Sequence, residues 1–229
     1  MNIDNLMLLK HNLRFLGFGE MLSSTGQLEA AMLKGEPEFQ LNVTENYNEI
    51  SSLKATLYFR KSPGSDTYTF VKYDARLIYD VATRVDRTQT FHVKGDAGIT
   101  LRESFNLLEG RSVYKTFGDA DETKYCAWIQ LSFGERTHDS KNYRFRKFGP
   151  EYRYDLERVI NAYPIRELKE DALKMNLLIS LKKGNLHLVT FEKSGKIEKK
   201  VIAACPQFKT ISIYTEALIN ATHTPKSKH

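Results

Sequence analysis

Apolar residues at Ile3, Leu6, Met7, Leu9, Leu13 and Leu16 recur at helical spacing, with Lys10 and Arg14 to one side. The pattern predicts a helix over residues 3–16, ended by Gly17 and Gly19. A second helix is expected from about Gly26 to Leu33, with Ser24 or Thr25 capping its start and Gly35 past its end. The period then changes to two. Strands are expected at 38–43, 54–60, 68–78 and 88–93, with Ser62-Pro63-Gly64-Ser65 as a turn between the second and third. Four strands in sequence with turns between them imply an antiparallel meander, one face packed on the two helices.

Gly95-Asp96-Ala97-Gly98 interrupts the strands. Thr100-Leu101-Arg102-Glu103 reads as a capping box opening a helix that runs to Leu108. Strands are expected at 125–133 and 143–148, joined by an exposed polar loop at 134–141. Alternation puts Ala127, Ile129 and Leu131 in the core and Trp128 on a half-covered face. After Pro150, helices are expected at 154–162 and 165–181. A hairpin at 186–193 and 196–204 turns at Ser194-Gly195. Pro206 breaks it, 210–214 is a last strand, and 215–221 adds a turn of helix.

At Leu33-Lys34-Gly35, Leu108-Glu109-Gly110 and Lys182-Lys183-Gly184 a helix meets a glycine and antiparallel strands follow. The fold expected is therefore α+β, with antiparallel meander sheets and helices packed on one face. Its parts are 1–95 (helices and a four-strand meander), 96–149 (helix and hairpin) and 150–221 (helices, hairpin and last strand), with a disordered tail at 222–229.

The chain has 229 residues, a net charge of +6 and an isoelectric point near 9.1. A basic balance favours a polyanionic partner. Cys126 and Cys205 lie 79 positions apart in apolar runs, the pattern of buried thiols in a reducing compartment. Asp4 and Lys10 make the N-terminal segment unlike a secretory leader. No apolar run approaches the ~20 residues of a membrane span. The expectation is a cytoplasmic protein with no membrane partner.

No catalytic constellation emerges. His11, His92, His138, His187, His223 and His229 are scattered and no two have metal-ligand spacing. Gly95-Asp96-Ala97-Gly98 lacks the Lys-Ser/Thr of a phosphate loop, and Asp96 would repel a phosphate. Asp119, Asp121 and Glu122 lack the EF-hand pattern. No metal or cofactor is expected, and an enzyme is the less favoured class.

Residues 141–148, KNYRFRKF, with Tyr152-Arg153-Tyr154 beyond, suggest a partner. On a strand, Tyr143, Phe145 and Lys147 point one way and Arg144, Arg146 and Phe148 the other. Cations for phosphates and rings for bases make a nucleic-acid platform. The residues picked out are Arg144, Arg146, Lys147, Tyr152 and Arg153, with Lys54, Arg60, Lys61 and Lys72 on the first meander as a second place for such a surface. Basic residues also blunt an exposed strand edge. A module binding another protein through a sheet edge or groove is therefore the competing expectation.

FLGFGE (15–20), ATLYFRKS (55–62), GITLRESFNLLEGRSV (98–113), AWIQLSF (127–133), SLKKGNLHLVTFEKSGK (180–196) and CPQFKTISIY (205–214) resemble a family of uncharacterised proteins carried on conjugative transposons of anaerobic gut bacteria. The resemblance spans about residues 13–214. It marks no catalytic residue. It implies an accessory protein of a mobile genetic element, with DNA, RNA or another protein of the same element as partner.

Overall fold

A computed structural model of the chain describes residues 1–23, 25–81, 83–93, 98–118, 124–138 and 141–215. The α+β architecture runs α1 (Ile3–Phe15), α2 (Gly19–Ser23), α3 (Gln27–Lys34), β1 (Glu38–Asn46), β2 (Ser51–Lys61), β3 (Tyr68–Tyr79), β4 (Arg87–His92), α4 (Leu101–Leu108), β5 (Val113–Phe117), β6 (Tyr125–Arg136), β7 (Tyr143–Phe148), α5 (Leu156–Ile160), α6 (Asp171–Lys182), β8 (His187–Lys193), β9 (Lys196–Cys205) and β10 (Thr210–Tyr214). The strands form three antiparallel sheets, ordered β1-β2-β3-β4, β5-β6-β7 and β10-β9-β8. The chain divides into two compact units, one to Phe105 and one from Asn106 on. Among the described residues no helix is long and apolar enough to cross a membrane. The Ser24 cap, the turn at 95–97, the acidic loop at 119–123, the helical turn at 216–221 and the tail lie outside the described residues.

In the first unit α1 lies on β3 and α3 on β1. Leu6, Leu9 and Leu13 of α1 and Leu28 and Met32 of α3 are buried. Asn5 fixes the docking with two bonds to the start of β3: its Nδ2 donates to the Tyr68 carbonyl, and its Oδ1 accepts from the Tyr68 amide. On β3 the alternation breaks once. Tyr58 pairs with Lys72 and Phe59 with Phe70, so Val71 is an extra residue in a bulge. The bulge shifts the phase, and Tyr68 and Phe70 therefore face the core together with Tyr73, Ala75 and Leu77.

Two helix ends differ from the sequence pattern. Gly17 ends α1 in the left-handed region, and the Phe18 amide bonds the Leu13 carbonyl at 2.8 Å. Gly19 opens α2 instead of closing α1, and it packs so close to α1 that a Cβ there would lie 2.8 Å from Arg14 Cα. Thr25 does not cap α3: its hydroxyl donates to the Leu22 carbonyl, and left-handed Gly26 occupies the N-cap. The capping box at α4 forms as expected. The Thr100 amide donates to Glu103 Oε2 at 2.9 Å, and the Glu103 amide to Thr100 Oγ1 at 3.2 Å.

The second unit closes around one core shared by β6, β7, α5, α6 and the third sheet. Trp128 belongs to it at 3% exposure, which overturns the half-covered placement. Alternation along β6 assigned the two faces correctly, but β6 is the central strand of its sheet and both faces are covered. Phe148, Leu156 and Leu177 share Trp128's cluster, and its ring lies 5.5 Å from Tyr154. Val113–Phe117, which the pattern did not single out, is this sheet's first strand. The helix expected at 165–181 resolves into a 3-10 turn at Arg166–Lys169 followed by α6. The helix expected at 154–162 contracts to α5, capped by Asp155, whose carboxylate accepts from the Arg158 amide. Ser194 and Gly195 both have positive φ, the turn a tight hairpin requires.

Gly184 ends α6 at φ +77°, and a Cβ on it would meet the Ser112 carbonyl oxygen at 2.7 Å. Gly184→Ala is expected to cost about 3 kcal/mol or more in urea unfolding, combining left-handed strain with a backbone clash. Gly195→Ala, at the same φ but with open space around it, should cost about 1–2 kcal/mol.

His187 opens β8 half-buried, and burial holds its pKa below the usual value, with Glu167 pulling the other way. As pH falls the unfolded chain takes up this proton first. The stability it contributes is therefore full above about pH 6.5 and lost below it. The melting temperature should fall as pH drops through 6.5 toward 5, and His187→Gln should shallow that fall.

Candidate nucleic-acid interface

β7 is an edge strand, paired only with β6 among the described residues. Its burial pattern is set by its ends. Tyr143 is buried on one face, where its ring packs edge-on against Phe133 at 5.0 Å. Phe148 is buried on the other, opposite Trp128. Between these anchors Arg144, Phe145, Arg146 and Lys147 are all exposed. An edge strand covered at each end from opposite sides leaves its middle open on both.

The strand register sorts the cations. Arg144 faces Ser132 and Arg146 faces Gln130, on the face that continues to Phe148. Arg144 Nε donates to the Arg136 carbonyl at 3.2 Å, and an Arg146 Nη2 lies 3.5 Å from a Glu135 carboxylate oxygen. Lys147 lies on the opposite face, its ammonium 4.7 Å from the centre of the Phe117 ring. The structure therefore brings Arg144 and Arg146 together and sets Lys147 apart.

Tyr152 and Arg153 follow in a 3-10 turn, Pro150–Tyr152, that leaves β7. The Tyr152 ring packs on Phe148 at 5.0 Å, so it extends the Arg144-Arg146-Phe148 face. Its hydroxyl donates to the Gln207 carbonyl at 2.8 Å. Gln207 belongs to a second 3-10 turn, Pro206–Phe208, and the ammonium of Lys209 lies 4.6 Å from the centre of the Tyr152 ring.

The two turns repeat each other. Pro150-Glu151-Tyr152-Arg153 and Pro206-Gln207-Phe208-Lys209 share the order proline, polar residue, aromatic, cation. Each proline sits at the first position, where no amide proton is needed. Each cation is left-handed, Arg153 at φ 56° ψ 39° and Lys209 at φ 51° ψ 38°. Each cation's amide bonds its own proline's carbonyl, at 3.0 and 2.9 Å. Sequence reasoning picked out Tyr152 and Arg153 but neither turn, and it missed Phe208 and Lys209, although the shared four-residue pattern was a signal that could have found them.

The first meander is a weaker candidate. Arg60 pairs with Glu38 at 2.8 Å, Lys61 with Asp66 at 3.1 Å, and Lys72 lies over the Tyr58 ring. Lys54 is exposed. Asp74 accepts from the hydroxyls of Tyr58 and Thr90 on the same face. Acidic groups thus offset the cations there. Among the described residues no group of three or more His, Cys, Asp and Glu side chains is arranged to hold a metal ion. The thiols of Cys126 and Cys205 are both free and partly buried, and Cys126 Sγ lies 3.3 Å from the Thr116 hydroxyl.

Searches against protein-family models, curated proteins and solved structures find no match to this chain.

Left-handed φ in a residue with a side chain costs about 1–3 kcal/mol. Lys209→Gly removes that strain from the folded state but adds freedom to the unfolded chain, two effects of similar size and opposite sign. Stability in urea should therefore stay within about 1 kcal/mol of wild type. Tyr152→Phe, which removes the bond joining the turns, should cost about 1 kcal/mol.

Proposed function

We propose that this protein is a non-catalytic, cytoplasmic accessory protein of a mobile genetic element that binds nucleic acid weakly and without sequence preference. The mobile-element setting rests on the resemblance of residues 13–214. The binding reading rests on one observation: Arg144 and Arg146 share a strand face with Phe148, the Phe148 ring packs on Tyr152, and the Lys209 ammonium lies over the Tyr152 ring. Cations on such a line neutralise phosphates, and phosphate contacts carry no sequence information.

Four cations in contact (Arg144, Arg146, Arg153 and Lys209) give a slope of log affinity against log salt of about −3 to −4 on duplex DNA. Affinity should be micromolar at physiological salt, in keeping with the modest net charge. Replacing Arg144 and Arg146 with Ala should flatten the slope by about 2. Absence of salt-dependent binding to single- and double-stranded DNA, even at low salt, refutes this reading.

A second reading, an interaction module for another protein of the same element, is favoured by α1. Ile3, Met7, Leu8 and Phe15 are exposed on its outer side while Leu6, Leu9 and Leu13 are buried on its inner side. An apolar outer face marks a protein contact more often than a phosphate site. Met7→Glu with Phe15→Glu should abolish capture of such a partner and leave the salt slope unchanged.

A further inference from the structure

Phe208 is 72% exposed, although it stands on a turn whose other parts are fixed. Pro206 beneath it is buried, the Gln207 carbonyl is held by Tyr152, and the next residue, Lys209, is locked left-handed over the Tyr152 ring. An exposed ring on a fixed backbone loses little freedom when something covers it. Three described non-glycine residues have positive φ: Arg153, Ser194 and Lys209. Ser194 serves a hairpin turn, where the strand twist requires that conformation. The other two end the paired 3-10 turns, where glycine would take the same conformation without strain, and both are long cations. The fold holds two left-handed positions and fills them with positive charge, Arg153 exposed and Lys209 with its ammonium over the Tyr152 ring, and strain of this kind gathers at binding sites.

We infer that the twin turns are the base-stacking end of the interface, and that its ligand is single-stranded nucleic acid rather than duplex. This rests on the nucleic-acid reading above and narrows it. Phe208 offers an open ring face that an unpaired base can cover, whereas in a duplex the base faces are already stacked on one another. Arg153 and Lys209 flank the turns for the adjoining phosphates. Arg146 and Arg144 continue the backbone track along β7, at the two-residue repeat of one strand face. Glu151, the one acid within the two turns, sits where the second turn carries Gln207 and opposes the anion.

The test is fluorescence anisotropy with a labelled 12-nucleotide oligothymidine and, for the duplex, a mixed-sequence 12-base-pair DNA, at low salt and across a salt series. Wild type should bind the single strand about tenfold or more tighter than the duplex. Phe208→Ala should lose about tenfold on the single strand, little on the duplex, and leave the salt slope unchanged, because a stacked base releases no counterion. Arg153→Ala with Lys209→Ala should instead flatten the slope. Glu151→Gln should tighten binding to both ligands. Phe208→Trp should keep the affinity, and its exposed indole should be quenched by oligothymidine, which provides a direct readout should Phe208→Ala prove unstable.

If wild type binds both DNAs with the expected salt slope but shows no preference for the single strand, or Phe208→Ala binds it unchanged, the stacking inference is overturned and the broader reading survives. If neither DNA binds, both fail, and the exposed ring belongs to a protein contact.

Discussion

Asn106 is fully buried, and its side chain joins the ends of two helices. Its Nδ2 donates to the Lys183 carbonyl at 2.7 Å and to Asn185 Oδ1 at 2.8 Å, and its Oδ1 accepts from Arg111 at 2.6 Å. Arg111 Nε completes the loop by donating to the Gly184 carbonyl at 2.9 Å. A helix leaves its last carbonyls without partners, and a buried polar group without one costs about 1–3 kcal/mol. Here the end of α6 is satisfied by Asn106 in α4 and by Arg111, two residues before β5. The second unit can therefore bury α6 beside its first sheet with the Lys183 and Gly184 carbonyls satisfied. The common core containing Trp128, Leu177 and Ile202 closes on that condition.

That core decides what is left outside. It takes Phe148 at one end of β7, and Tyr143 is buried at the other end on the opposite face. Four residues of an edge strand then remain in solvent, three of them cations. Edge strands carrying long charged side chains resist pairing with other chains. The same composition that protects the edge supplies a line of positive charge, so the structural and functional explanations of Arg144 and Arg146 do not compete.

In the paired 3-10 turns the left-handed cations are the C-caps, each closing its turn with an amide bond to the proline carbonyl. A left-handed arginine and a left-handed lysine each add strain that glycine would remove. The turns are nonetheless tied together by the Tyr152 hydroxyl and the Lys209 ammonium. They combine a fixed backbone with an exposed Phe208 ring and adjacent positive charge.

Local pattern was enough for much of this. Helical spacing gave α1, the capping box gave the start of α4, and period-two runs with short turns required antiparallel sheets. The glycines at 35, 110 and 184 marked three helix ends, because a left-handed terminus excludes most side chains. Each of these features is decided within a few residues of chain, where sequence carries the information. Burial of Trp128 was not, because alternation says which side a residue takes but not whether α5 and α6 will cover it. The bulge at Val71 was invisible for the same reason: its phase shift is defined by the partner strand. The site divided along the same line. KNYRFRKF could be read directly, since its charges and rings are adjacent in sequence. The turn carrying Phe208 meets Tyr152 only through Gln207 and Lys209, 55 and more residues away, which tertiary folding alone brings together.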